Sequence, residues 1–328
     1  MSVFRYLETG STDPYFNLAY EEYVLAHRTK GSYLILWQND NTIVIGQNQN
    51  ALAEVNRAFV TEHGIHVVRR MTGGGAVYHD LGNLNYSFIS DCDNSFGKIF
   101  SGTVVNALRN LGLDAKESGR NDITVGDRKL SGTAQRLLQG RILHHGTLLF
   151  DSDLERMAEA LKVDPEKFKS KHTKSVRSRV GNIRPLLKED MDLDAFKEYL
   201  KAALTDRGFI PNTLTAEELS AIQTLRDTKY VTEAWTWGSA MPSSFSNKRW
   251  FPGGCLEIHA DIIENRIHSL RFYGDYLSLC TQEELSAALE GCPYYVDSVN
   301  AILERFDLVP LFGGVTTENI IDTLFCRE

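Results

Sequence analysis

What this chain has little of narrows the possibilities first. Its five cysteines (Cys92, Cys255, Cys280, Cys292 and Cys326) are odd in number and scattered, with no CxxC pair. Neither a disulfide framework nor a zinc knuckle is expected, and a reducing cytoplasm fits such usage. No run of about 18 apolar residues occurs, and the opening MSVFRYLETGSTD has no apolar core, so neither a membrane span nor a signal peptide is predicted. Positive charge is in deficit: 35 Lys plus Arg against 43 Asp plus Glu, net -8. A nucleic-acid partner held by a basic surface is therefore not expected, and any anion site must be local. Repeats and low-complexity tracts are also missing.

What is present suggests two domains, since 328 residues exceed the roughly 150 typical of one. From Val3 to about Phe150, short β-rich runs (VFRYLE, YLILWQ, TIVIGQ, IHVVR, AVYH, NLNYSFIS, DITV, RKLSGTAQRLL, RILHHGTLLF) are interrupted by few helical patterns. The clearest helix begins at Pro14, behind the capping residue Asp13, and runs to about His27; another is expected near Ile99 to Leu111. Strands mostly follow strands, which predicts an α+β fold of mixed and antiparallel sheets flanked by helices, not a doubly wound nucleotide fold. Residues 151–230 read mainly helical. The Ser/Pro/Gly-containing stretch WTWGSAMPSSFSNKRW then places a boundary near Ser246, giving a main domain of residues 1–246 and a small α+β unit of residues 247–328.

Three local signals carry chemistry. The first is RRMTGGGAVYHD, with Gly73, Gly74 and Gly75 between two predicted strands. Consecutive glycines let backbone N–H groups approach an anion together, and Arg70 adds positive charge; a hairpin that merely needs positive φ angles is the plain alternative. No GK[ST] follows, which excludes a Walker loop, and a strand follows where a Rossmann loop needs a helix. The second is GRNDITVGDRKLSG. A two-residue turn at Gly126-Asp127 pairs Val125 with Arg128, Thr124 with Lys129 and Asp122 with Ser131, which leaves Asp122 and Lys129 as diagonal neighbours on one face. Lys129 could then neutralise phosphoryl oxygens while Asp122 holds Mg2+, or the two could form an ordinary surface ion pair. The third is the basic run from Lys167 to Arg184, which contains no acid and reads as a solvated face or as a flap over phosphates. The neighbours His144 and His145 point to opposite faces of a strand and read as hydrogen-bonded core or rim histidines.

At these residues the chain resembles the lipoate–protein ligase A family of the biotin and lipoate ligase superfamily. DPYFNLAYEE, RRMTGGGAVYHDLGNLNYSF, GRNDITVGDRKLSG, HHGTLLF and SVRSRVGNI match in order, and WTWG, FPGG and FYGD resemble the accessory domain. The resemblance implies an ATP-dependent ligase that converts free lipoate to lipoyl-AMP, releases pyrophosphate and passes the lipoyl group to an acceptor lysine. It implies ATP and Mg2+ as cofactors, and as partners the lipoyl domains of 2-oxoacid dehydrogenases or the glycine-cleavage H protein. By the same resemblance Lys129 contacts the activated carboxyl and phosphoryl oxygens. Arg70 and Gly73, Gly74, Gly75, Ala76, Val77 and Tyr78 line the lipoate and ATP site, Asn121 and Asp122 contact phosphate or metal, and Lys174, Arg177 and Arg179 belong to an adenylate-binding loop. A thioester-forming transferase of the same fold would need a cysteine, and none lies between Cys92 and Cys255. A biotin ligase leaves the RSRV loop unexplained, and an idle lipoyl-domain-binding scaffold has no use for the Arg70, triple-glycine and Lys129 set.

Overall fold

Strand β2 (Ser32–Trp37) shows how the main sheet is built. Every residue of it is buried. Leu34 and Leu36 enter one apolar cluster and Tyr33, Ile35 and Trp37 another, as the two-residue side-chain period of a strand covered on both faces requires. The computed structural model describes residues 4–92, 96–161, 179–205, 208–238 and 243–327. Around β2 runs an eight-stranded sheet in the order β11-β1-β2-β6-β10-β9-β8-β7. Its other strands are β1 (Phe4–Glu8), β6 (Asn83–Asp91), β7 (Ala115–Ser118), β8 (Asp122–Val125), β9 (Arg128–Leu138), β10 (Arg141–Leu149) and β11 (Phe209–Pro211). Only β1 pairs in parallel, with β2 and β11; the remaining pairs are antiparallel.

Helix α1 (Pro14–His27) covers one face. Asp13 caps it by accepting from the N–H groups of Tyr15 and Phe16, satisfying donors that the first turn leaves open. The helices Phe96–Asn110 and Leu193–Leu204 cover the other face, where Val104, Leu108, Phe196 and Leu200 join the cluster around Phe88. A small second sheet, β4 (His66–Arg69), β3 (Thr42–Ile45) and β5 (Val77–His79), carries the glycine-rich connection between β4 and β5.

The α+β reading with helix-flanked mixed sheets is what the structure shows. The short edge strands β7 and β11 escape the sequence reading because four and three residues carry too little pattern. In the C-terminal part β12 (Phe245–Phe251), β13 (Gly254–Ile263) and β14 (Arg266–Gly274) form a third sheet. Helices including Glu283–Leu289, Val296–Leu303 and Thr317–Leu324 pack on it over a core of their own. Ser246 lies inside β12, whose polar FSNKRW composition reads as connector although Phe245 and Phe251 reach that core. Among the described residues no helix is long and apolar enough to cross a membrane.

Candidate active site

The glycine loop is held from behind by buried cations. Arg70, 6% exposed, donates through Nε to Thr72 Oγ1 at 2.9 Å, through Nη1 to the Val44 carbonyl at 3.1 Å, and through Nη2 to the carbonyls of Gly73 and Gly75 at 2.7 and 2.8 Å. All four acceptors are neutral. Burial therefore pulls the guanidinium down to about 10, with Glu21 opposing the shift and Arg69 adding to it. A buried cation whose contacts are neutral dipoles favours an anion nearby. Arg69 turns the other way and clamps the backbone, donating to the carbonyls of Gly46, Gln47 and Gln49 and to Trp235 and Thr236. The WTWG segment is thus part of the scaffold behind the loop.

The loop itself meets the C-terminal unit. Gly74, at φ +87°, donates its N–H to the Tyr276 carbonyl at 3.1 Å. A Cβ on Gly73 would stand 2.8 Å from both the Ser278 nitrogen and the Tyr276 oxygen. Two of the three glycines are therefore bare because another chain segment packs on them. Asn48 Nδ2 donates to Ser278 Oγ at 2.8 Å, and Arg120 donates to the Gly253 carbonyl and stands 4.0 Å from Asp275. FPGG and FYGD accordingly form the contact between the two units.

Opposite the loop, the hairpin of β8 and β9 presents the second cation. Val125 pairs with Arg128 and Thr124 with Lys129 as the turn requires, but the register then shifts and Asp122 faces Gly132, not Ser131. The bulge makes Leu130 the extra residue of β9 and sets Ile123 opposite Ser131; Ile123 and Leu130 both lie in the core, at 1% and 0% exposure. Lys129 Nζ lies 2.7 Å from Asp122 Oδ1, each side chain about one-third exposed. Such a pair adds at most about 1 kcal/mol to stability, so folding alone does not explain it. Asn121 is fixed beside it by Nδ2 donating to the Thr133 carbonyl at 2.7 Å.

Arg70, Gly74, Gly75, Ala76, Val77, Asn121, Asp122 and Lys129 all face one cavity of about 220 Å³. Tyr78 does not: alternation along β5 turns it into the neighbouring core, where its hydroxyl donates to Asn41 Oδ1 at 3.1 Å. Gly73 faces the C-terminal unit. Lys174 and Arg177 lie outside the described residues. Arg179 sits at the start of the stretch that adds Val180 to β9 beside Lys129, with the Gly181 N–H donating to the Lys129 carbonyl at 3.0 Å. Burial lowers its guanidinium, and the basic run thus ends against the Lys129 strand.

Residues 13–205 match the lipoyl protein ligase A/B catalytic domain, and residues 240–324 the bacterial lipoate protein ligase C-terminus. This chain belongs to the lipoyl protein ligase A/B family. It is 40% identical over 315 residues to lipoate–protein ligase 1 of Staphylococcus aureus, covering 94% of this chain and 96% of that one. To the lipoate–protein ligase LplJ of Bacillus subtilis it is 39% identical over 321 residues, covering 95% and 97%. Among solved structures, Plasmodium falciparum LipL1 in complex with lipoate shares the fold at a TM-score of 0.79 and 23% identity, covering 99% and 98%. A lipoate–protein ligase A bound with ATP superposes at 0.62 with 32% identity, covering 72% and 98%. The bipartite archaeal ligase described with its E2 lipoyl domain, from Thermoplasma acidophilum, superposes at 0.64 with 33% identity, covering 74% and 99%. The activity that goes with this family membership is ATP-dependent ligation of lipoate to protein.

Within this ligase fold the floor of the cavity holds a polar chain that the sequence reading left as a plain histidine. His145, on β10, meets Glu21 of α1 through Nδ1 at 2.9 Å and Thr72 through Nε2 at 2.8 Å. The hydrogen-bond network, with Thr72 accepting from Arg70 and Glu21 facing Nδ1, assigns the Thr72 hydroxyl proton to His145 Nε2 and the ring proton to Nδ1. Ser87 donates to Glu21 at 2.5 Å and accepts from Trp37 Nε1 at 2.8 Å. The chain links the glycine loop to the helix that covers the sheet. Only alternation of side chains along β6 and β10 could have signalled it.

Proposed function

We propose that this cavity binds lipoate and ATP together, so that a lipoate carboxylate oxygen attacks the α-phosphorus, pyrophosphate departs and lipoyl-AMP remains. Lys129 stabilises the negative charge that develops on the phosphoryl and carboxyl oxygens, and Arg70 supplies a second positive charge from below the loop. The backbone of Gly75, Ala76 and Val77 is the donor set nearest those oxygens. A cavity of about 220 Å³ is below the roughly 300–1,000 Å³ of pockets that hold drug-sized ligands, so the C-terminal segment at Tyr276–Ser278 gives way as the substrates enter. That requirement supports reorientation of the C-terminal unit about the connector, and we place the domain boundary there, ahead of β12. Lys174, Arg177 and Arg179 cover the adenylate and shelter it from water.

Mg2+ fits this site as an ion shared with the nucleotide. Among the described residues no three metal-ligating side chains cluster, but Asn121 and Asp122 line the cavity, and Mg2+ is commonly held by one or two protein oxygens plus phosphates and water. Those two residues would hold it, and it would screen phosphate charge. In the second half-reaction a lysine of a lipoyl domain, or of a glycine-cleavage H protein, displaces AMP. The setting is the cytoplasm, where the five cysteines, all unpaired, stay reduced.

The observation that carries this reading is the buried Arg70, contacting only neutral acceptors, in one cavity with the Lys129–Asp122 pair. Lipoate-dependent exchange of labelled pyrophosphate into ATP tests it. The enzyme should catalyse exchange and Lys129→Ala should abolish it with the fold retained; exchange by the variant at the wild-type rate would remove Lys129 from the chemistry.

A further inference from the structure

A second cavity, of about 700 Å³, lies across β9 from the first. Both are walled by Arg120, Asn121, Asp122, Thr133, Ala134 and Leu277, so they adjoin beside the Lys129–Asp122 pair. Exposed Glu117 and Ser118 of β7 stand on its wall toward solvent, and His144, 1% exposed, lies at its buried end. His144 Nδ1 accepts from Gln135 Nε2 at 2.9 Å, which leaves the ring proton on Nε2, and that N–H meets no acceptor. That nitrogen is itself closed off and the ring stacks on Tyr86, so His144 closes the inner end of the cavity and offers no donor to it. Asp122 is already paired with Lys129 at 2.7 Å, and Arg120 stands against Asp275 and the Gly253 carbonyl, whereas the exposed Glu117 has no ion-pair partner among the described residues. The charge left over on this wall is negative and favours a ligand that brings a positive charge.

A lysine side chain on a polypeptide brings that charge on a stem long enough to enter. On the reading above, the first cavity is filled by the lipoyl and nucleotide halves of the adenylate, which leaves the amine no room to enter by the same path. We propose that the second cavity admits the acceptor lysine, its ammonium drawn in past Glu117 toward Asp122. This rests on the ligase reading and adds the route of the second substrate. In the transfer step the amine nitrogen forms a bond to the acyl carbon and the bond from that carbon to the phosphate oxygen breaks, its electron pair leaving on AMP. The two protons that the ammonium sheds pass to solvent. Leu277–Leu279 roofs this cavity, tied down by the Leu137 N–H donating to the Leu279 carbonyl at 3.0 Å. The acceptor approaches once that segment has moved aside.

The test uses the full-length enzyme, lipoate, ATP and a purified unlipoylated lipoyl domain of a 2-oxoacid dehydrogenase. Glu117→Lys should leave lipoate-dependent pyrophosphate exchange within about twofold of wild type and raise the KM for the lipoyl domain at least about tenfold through like-charge repulsion, with kcat little changed. Glu117→Gln should fall between. Ser118→Trp, which narrows the opening, should slow single-turnover transfer from preformed lipoyl-AMP by a similar factor with exchange intact. Wild-type transfer by both Glu117→Lys and Ser118→Trp overturns the route, and so does loss of exchange in step with transfer, which would assign these residues to the adenylate site. Failure of the wild-type enzyme to exchange pyrophosphate at all would instead overturn the ligase reading itself, whatever the variants do.

Discussion

Gly46, just after β3, offers the sharpest perturbation of the glycine loop. Its N–H donates to Gln49 Oε1 at 2.8 Å and its carbonyl accepts from Arg69, so the residue cannot step back. A Cβ there would stand 2.0 Å from the Gly74 oxygen and 3.3 Å from Arg70 Nη2. Ordinary contact begins near 3.4 Å, so in Gly46→Ala the Gly74 carbonyl must retreat by more than about 1 Å. That movement drags the Gly73 and Gly75 carbonyls off Arg70 and the Gly74 N–H off Tyr276. Overpacking of this kind costs about 1–3 kcal/mol of stability, and misplacing catalytic groups by about 1 Å costs on the order of 100-fold in rate. Urea unfolding and the kcat/KM of lipoate-dependent pyrophosphate exchange measure the two effects separately. Gly102→Ala is the control: it lies in a helix with no atom within 4 Å of the new Cβ, and it should gain about 0.5–1 kcal/mol without changing exchange. Exchange by Gly46→Ala within twofold of wild type would refute the claim that the loop's position governs catalysis.

Other outcomes follow from the same contacts. Arg120→Ala removes the contacts to Gly253 and Asp275 and should loosen the C-terminal unit, seen as faster limited proteolysis into two fragments; unchanged cleavage would count against a latch there. Burial holds His79 and His144 neutral, each lowered to about 3 from an ordinary value near 6.5. The unfolded chain therefore binds more protons between pH 6.5 and 3, and stability falls as pH drops through that window, by about 1 kcal/mol per histidine per pH unit well below 6.5. Unfolding free energies at pH 7 and 5 check the sign, and a flat profile would contradict it. Asp122→Asn keeps the side chain's size but removes the carboxylate beside Lys129; we expect pyrophosphate exchange to fall at least about tenfold with a shift in its Mg2+ dependence, and an unaltered Mg2+ profile would take Asp122 out of metal binding.

Much of this was legible because strong patterns survive in short windows. Pro14 behind Asp13 marks the start of α1, β9 runs over the same eleven residues that its pattern suggests, and the Gly126-Asp127 turn sets the first two pairs of the hairpin. What the sequence hides is long-range. The bulge beside Thr124, which skips Leu130 and moves Asp122 from Ser131 to Gly132, leaves no mark in the turn residues or in a two-residue period. Glu21, Thr72 and His145 are 51 or more positions apart and meet only when α1 is laid across β10. Gly73 and Gly74 look like a cradle for an anion, yet part of their bareness serves Tyr276–Ser278, some 200 residues later. Tyr78 belongs to the motif but alternates away from the cavity that its neighbours line.

The most direct measurement is a crystal structure of the enzyme with a non-hydrolysable lipoyl-adenylate analogue. The phosphate should lie within hydrogen-bonding distance of Lys129 Nζ and of the backbone at Gly75–Val77, with the proposed lysine-entry cavity empty. A phosphate bound away from both Lys129 and the glycine loop would contradict the account at its root.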